Sequence, residues 1–217
     1  MSRKKIGVAT TRAAATVWLA ALLFVWALPA TALHAREKQQ HPEKSAAVEI
    51  QALDKEARDL IEKLQLEPHP AIQGGFFRQT YCSRARVKGD LDRSSGTLIY
   101  YLATTKAIST FHKLASDEIL LYHGGSPGVQ LLLFPDGRWE ERVVGPDIQK
   151  GEMLQSLIPA GTWYSLVLAD RTDGSWGLFS AMVVPGFDYA DFTPGDSAEL
   201  VKQYPSAEKR MKELGLL

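Results

Sequence analysis

From residue 74 to residue 184, apolar and polar positions follow one another in short runs separated by glycine, proline and aspartate. That is the pattern of β-strands joined by tight turns. FFRQTYC, up to Cys82, alternates apolar with polar residues. GTLIYYLAT, residues 96–104, is apolar on both faces, as expected of a strand inside a sandwich or under a partner subunit. Val129 to Phe134 and Trp139 to Val144 form a strand pair around the hairpin turn Pro135-Asp136-Gly137-Arg138. Gly145 to Gly151 reads as a loop, Glu152 to Ile158 as a strand, and Trp176 to Val184 as a last long strand. Helical spacing is confined to the flanks. Ile50, Leu53, Ala57, Leu60, Ile61 and Leu64 predict an amphipathic helix over 46–66, ending before Pro68 and lying on the outside of a sheet. Asp196 to Tyr204 and Ala207 to Leu217 predict short helices broken at Pro205. The fold class is therefore mainly β, a jelly-roll barrel with helices at its ends.

One stretch concentrates candidate chemistry. In STFHKLASDEILLYHGG, residues 109–125, His112 falls near the end of one strand and Glu118 at the start of the next, with LASD as the bend. Period 2 puts Glu118, Leu120 and Tyr122 on one face, and Ile119, Leu121 and His123 on the other. A hairpin of this kind directs an imidazole and a carboxylate into one cavity.

Composition narrows the partners. At 217 residues and 45% hydrophobic content, the chain can bury one good core. Lysine plus arginine equals aspartate plus glutamate, 25 each, so no net charge draws it to nucleic acid. The only cysteine, Cys82, excludes an intrachain disulfide and a thiolate zinc cluster, and reads as a small buried hydrophobe. Arg3, Lys4, Lys5 and Arg12, the apolar run over residues 13–27 and Ala30-Thr31-Ala32 together predict a signal peptide over 1–32, cleaved after Ala32. An uncleaved membrane anchor is the alternative. Residues 33–46 read as a linker, with no role for His34 or His41, and 47–217 as a single exported domain. Apolar outer faces on 97–103 and 119–123 predict a homodimer.

Several motifs resemble the cupin superfamily. His112, Glu118 and Gly125 match H-x-H-x-x-x-E followed by its glycine, with Leu114 at the second histidine. Gly151 and Pro159-Ala160-Gly161-Thr162-Trp163-Tyr164 resemble the second motif, G-x(5–7)-P-x-G-x-x-H, with Tyr164 at the histidine. The opening PHPAIQGGFFRQTY and the closing PGFDYADF are similar to the small single-domain "cupin five" family of unknown function, Gln73 standing at a glutamate of that opening. The resemblance implies a double-stranded β-helix, the cupin barrel. It also implies a pocket around His112, Glu118 and Tyr164 as candidate catalytic residues, with Arg78, Gln73 and Tyr122 as candidate ligand-binding residues. Asp188 and Asp191 are expected to tie the turn after the last strand.

Three functions are compatible with that resemblance. The first is a small-molecule binding module. The second is a metal-free isomerase, similar to sugar-nucleotide epimerases of the RmlC type. There His112 acts as general base oriented by Glu118, and Tyr164 as acid. The third is a metal-dependent cupin dioxygenase or isomerase. Its divalent ion would rest on His112 and Glu118 alone, so no cofactor is expected.

Overall fold

The computed structural model describes residues 46–217 apart from 71–74, 88–92 and 107–109. The expected signal segment, the linker through residue 45, and Gln73 lie outside the described residues. Among the described residues, no helix is long and apolar enough to cross a membrane.

Two antiparallel sheets face each other. One is six-stranded, in the order β1 (Glu67–Pro68), β2 (Phe76–Cys82), β3 (Thr97–Thr104), β10 (Trp176–Val184), β5 (Asp117–Gly125) and β8 (Gln155–Ile158). The other is five-stranded, in the order β11 (Thr193–Pro194), β4 (His112–Lys113), β9 (Trp163–Leu168), β6 (Gly128–Leu133) and β7 (Trp139–Val144). Consecutive strands repeatedly change sheet, which is the jelly-roll topology of the cupin barrel. The β6–β7 hairpin turns at Gly137, whose φ of 88° lies where side-chain-bearing residues are rarely found.

Helices cover the outer faces. Leu200, Tyr204, Ala207, Met211, Leu214 and Leu216 bury against Val129, Leu131, Leu133 and Val167 of the five-stranded sheet. Leu200 and Met211 belong to the C-terminal helices, Ser197–Gln203 and Glu208–Glu213, and the other four to the turns that join and follow them. On the six-stranded sheet, Leu53, Ala57 and Ile61 pack on Phe76, Leu102 and Leu178. The single helix expected over 46–66 is two helical segments, 46–52 and Lys55–Leu64. They are separated at Leu53-Asp54, where Leu53 turns inward to 4% exposure and Asp54 N–H bonds the Gly174 carbonyl at 3.3 Å.

That helical cover reaches only part of the sheet. Cross-strand partners Tyr81, Leu98, Met182, Ile119 and Leu157 form one apolar row across β2, β3, β10, β5 and β8, with Tyr81 and Leu157 about half exposed. Cys82 is exposed rather than buried, because it ends β2 at the sheet's margin.

Inside, the barrel has two parts. Phe179, Val144 and Leu168 fill one end, with Leu120, Leu166 and Ala181 at its boundary with the other. At the other end the sheets enclose a cavity of about 320 Å³.

Candidate functional site

The cavity walls come from both sheets, and alternation decides which side chains reach it. On β3, Thr97, Ile99 and Tyr101 point in; on β10, Ala181 and Val183; on β5, Glu118 and Leu120. The five-stranded sheet contributes His112 from β4 and Tyr164 from β9, which are register partners.

His112 and Glu118 do not belong to a hairpin. The bend at 114–116 carries the chain from β4 in one sheet to β5 in the other, so the imidazole and the carboxylate approach from opposite walls. This changes their partners. Glu118, 6% exposed, accepts a 2.6 Å hydrogen bond on Oε2 from the Tyr164 hydroxyl. His112, 4% exposed, bonds through Nδ1 to the Thr110 carbonyl at 3.1 Å. A carbonyl can only accept, so Nδ1 carries the proton and Nε2 is left as an acceptor in the neutral ring. The His112 ring lies against Tyr164, centroids 4.2 Å apart, and stacks on Phe192 at 5.1 Å.

The electrostatics follow from burial. Loss of water pushes the Glu118 carboxyl up to about 7, with the Tyr164 hydrogen bond opposing the rise. Burial pushes His112 down to about 4. His69 is also pushed down to about 4 by burial, with a further contribution from His112 nearby. Tyr164 is raised well above its usual range by burial and by the neighbouring Glu118. Near neutrality both imidazoles are therefore uncharged, while Glu118 sits at its titration midpoint.

A segment after β10 closes one side. Phe187, Tyr189 and Phe192 line the cavity. Gly186 N–H bonds the Ser94 carbonyl at 2.8 Å, and Phe187 N–H bonds Thr97 Oγ1 at 3.0 Å. Asp188 caps the short turn through Ala190 N–H, as expected of it. Asp191 instead pairs with Arg93, with both side chains nearly buried. Through β11 the segment then joins β4 beside His112, so it ties the two sheets together.

The other expected ligand-binding residues fall elsewhere. Arg78 is exposed and donates to the Leu64 carbonyl at 3.0 Å, because it lies between Phe77 and Gln79, the β2 residues that face the cavity. Tyr122 shares the face of Glu118 but lies four residues along β5. There its ring meets Phe179 and its hydroxyl donates to the Gly125 carbonyl at 2.6 Å. His123, on the opposite face, bonds Ser180 Oγ at 2.6 Å. Residues that sequence reasoning did not assign to the site take their place. His69 sits with its ring 4.8 Å from Phe77 and 5.9 Å from Tyr101. The Tyr101 hydroxyl is buried with no hydrogen-bond partner among the described residues, and Phe192 stacks on His112. The alternation of β3 was a usable signal for Tyr101, and the PHP opening for His69.

The residues do not fit a transition metal. Leu114 occupies a ligand position of the cupin motif, the Tyr164 hydroxyl is engaged by Glu118, and among the described residues no three His, Cys, Asp or Glu side chains are grouped to hold an ion.

Comparison with known proteins agrees with this architecture. The model of a family described as cupin superfamily (DUF985) matches residues 58–194. An uncharacterised protein of Saccharomyces cerevisiae is 31% identical over 166 residues, covering 70% of this chain and 81% of its own. A solved structure of a hypothetical protein from Leishmania major shares 34% identity with a TM-score of 0.64, over 73% of this chain and 97% of that one. A structure from Shewanella oneidensis shares 31% identity with a TM-score of 0.63, over 72% and 94%.

Proposed function

Since the chain belongs to the DUF985 family of the cupin superfamily, we propose that it binds a small molecule in the barrel cavity, held by His112, Glu118 and Tyr164. One observation carries this reading. Glu118 is a buried carboxyl with a single hydrogen bond, and its second oxygen has no partner among the described residues. Burying such a group is costly unless it is satisfied, and a ligand in the adjoining cavity would satisfy it. Native mass spectrometry of protein purified without chelator, followed by a fragment screen, tests the reading. Binding should be lost in His112→Ala and in Tyr164→Phe. A screen without a single cavity ligand would sink it.

A second reading is proton transfer on the bound molecule, as in a metal-free isomerase. It is favoured by the tautomer of His112, whose Nε2 is a neutral base across the cavity from the acids Glu118 and Tyr164. A bound ligand with an acidic C–H should then exchange it for deuterium in heavy water, and His112→Ala should stop the exchange. On both readings purified protein should hold less than one tightly bound transition metal per chain, read by elemental analysis. Export is part of the same proposal. It rests on the pattern over residues 1–32, which expects an intact mass starting near Leu33, and would be refuted by protein held in washed membranes with residues 1–32 retained.

A further inference from the structure

The ionisable groups facing the cavity include two carboxyls and no permanent cation. Oε1 of Glu118 accepts, and Nε2 of His112 accepts because Nδ1 carries the ring proton and donates it to the Thr110 carbonyl. Glu67 adds a carboxylate where the cavity meets solvent. No lysine or arginine is among the described residues that line it, and Arg93, which holds Asp191 of the closing segment, is engaged in that pair. Between these acceptors stand the rings of Phe77, Tyr101, Tyr164, Phe187, Tyr189 and Phe192. Aromatic faces carry partial negative charge, so walls of this kind attract a cation.

We propose that the cavity takes a small organic ammonium ion on an apolar body, its N–H groups directed to Glu118 and His112 and its flanks against the aromatic walls. This rests on the binding reading above and narrows it to one ligand class. The ligand supplies the positive charge that the cavity lining lacks. An anion would find no cation there and would be opposed by two carboxyl groups. A neutral alcohol could donate one hydrogen bond but would leave Glu118 without a counter-charge.

The pH dependence has a definite sign. The titratable groups facing Glu118 are Tyr164 from β9, His112 from β4, Tyr101 from β3, His69 after β1, Glu67 at the rim and Tyr189 from the closing segment. Both histidines are neutral well below pH 6, and burial keeps Tyr101 and Tyr164 protonated above pH 8. Glu118 ionises in between. Affinity for an amine should therefore rise from pH 6 to pH 8.

Three probes of nearly equal shape test the proposal by titration calorimetry at pH 8: 2-naphthylmethylamine, 2-naphthylmethanol and 2-naphthoate. The amine should bind at least tenfold tighter than the alcohol, and the naphthoate weakest. Glu118→Gln, which keeps the acceptor for Tyr164, should bring the amine to within threefold of the alcohol. If that variant does not fold, the wild-type ranking and the weakening of the amine at pH 6 decide. Naphthoate or the alcohol binding as tightly as the amine would overturn the ammonium assignment while leaving a small-molecule cavity intact. Failure of all three to bind would overturn the cavity reading with it.

Discussion

The two ends of the barrel interior are built by the same strands, yet one is filled and the other is not. Along β10, Val183 and Ala181 border the cavity, and two residues further Phe179 is wholly buried. Along β9 the sequence runs from Tyr164 to Leu166 and Leu168, and along β5 from Glu118 to Leu120. At the filled end there is no room to spare. A Cβ on Gly128 would come within 2.6 Å of Leu166 and 3.0 Å of Phe179, and one on Gly177 within 2.8 Å of Phe179. At the open end, histidine, glutamate and tyrosine surround space that leucine could have closed. An end that keeps both volume and unpaired acceptors gives up stability that its neighbour secures, which is the usual mark of a site.

The sharpest test of the contrast is truncation at each end. Phe179→Ala should cost about 3–5 kcal/mol, because a fully enclosed ring leaves a void that cannot collapse. His112→Ala should cost about 1 kcal/mol, the scale of its one hydrogen bond, since it is not the partner of Glu118 and its removal unpairs no charge. Chemical denaturation of both variants measures the difference. Equal losses would mean that the open end is as structural as the filled one.

Next in size is the pH dependence of stability. Glu118 holds its proton up to about pH 7 in the fold but only to about 4.5 unfolded, so the folded state binds more protons across that window. Its contribution to stability falls as pH rises from 4.5 to 7, by roughly 3 kcal/mol, and is flat above. His69 and His112 act oppositely. Their folded values near 4 lie below the ordinary 6.5, so stability falls as pH drops through that interval. The two histidines outweigh the one glutamate below 6.5, which places the optimum near pH 6.5. In Glu118→Gln the decline just above pH 6.5 should vanish, leaving the variant more stable than the parent at pH 8. A parent profile level from pH 6 to 8 would show that Glu118 is not buried as an acid.

How much of this was legible beforehand depended on what the sequence pattern encodes. Turn residues such as Pro135 to Gly137, and alternation within runs such as 139–144, set strand limits well, since both are local. β8 begins three residues later than read, at Gln155 rather than Glu152, because the loop before it returns to β7, Met153 N–H bonding the Val143 carbonyl. Motif spacing brought His112, Glu118 and Tyr164 to one cavity, because barrel closure fixes where those positions meet. It did not say which of them bond, since a four-residue bend reads the same whether it closes a hairpin or crosses between sheets. Tyr122 shows the limit of a face argument: four residues along a strand is about 13 Å, enough to leave the site while keeping its orientation.

A smaller effect tests the filled end from within. Gln130 is wholly buried, and neither end of its amide has a partner among the described residues. Replacing an unsatisfied buried amide by an apolar chain of like shape removes a desolvation cost without opening a void. Gln130→Met should therefore be neutral or stabilising by about 1 kcal/mol, and should leave binding in the cavity unchanged. A loss above about 2 kcal/mol would show that the amide is satisfied by ordered water, and that this end too is partly polar.

The least effect on the cavity is expected from the outside. Tyr81, Leu98, Met182, Ile119 and Leu157 make an apolar row that the chain's own helices leave partly exposed, and the expected homodimer would draw on it. Leu157 is half exposed at the sheet edge, so a charge there disturbs little of the fold while opposing any apolar contact. Light scattering at micromolar concentration should give a dimer for the parent and a monomer for Leu157→Glu. Ile119 and Leu157 are not among the residues that line the cavity. Probe affinity in the monomeric variant should thus stay within about twofold, far less than the roughly 1.4 kcal/mol that marks a tenfold change. A monomeric parent would remove the dimer. A monomeric variant that no longer binds would instead mean that the open end depends on a second copy to hold its shape.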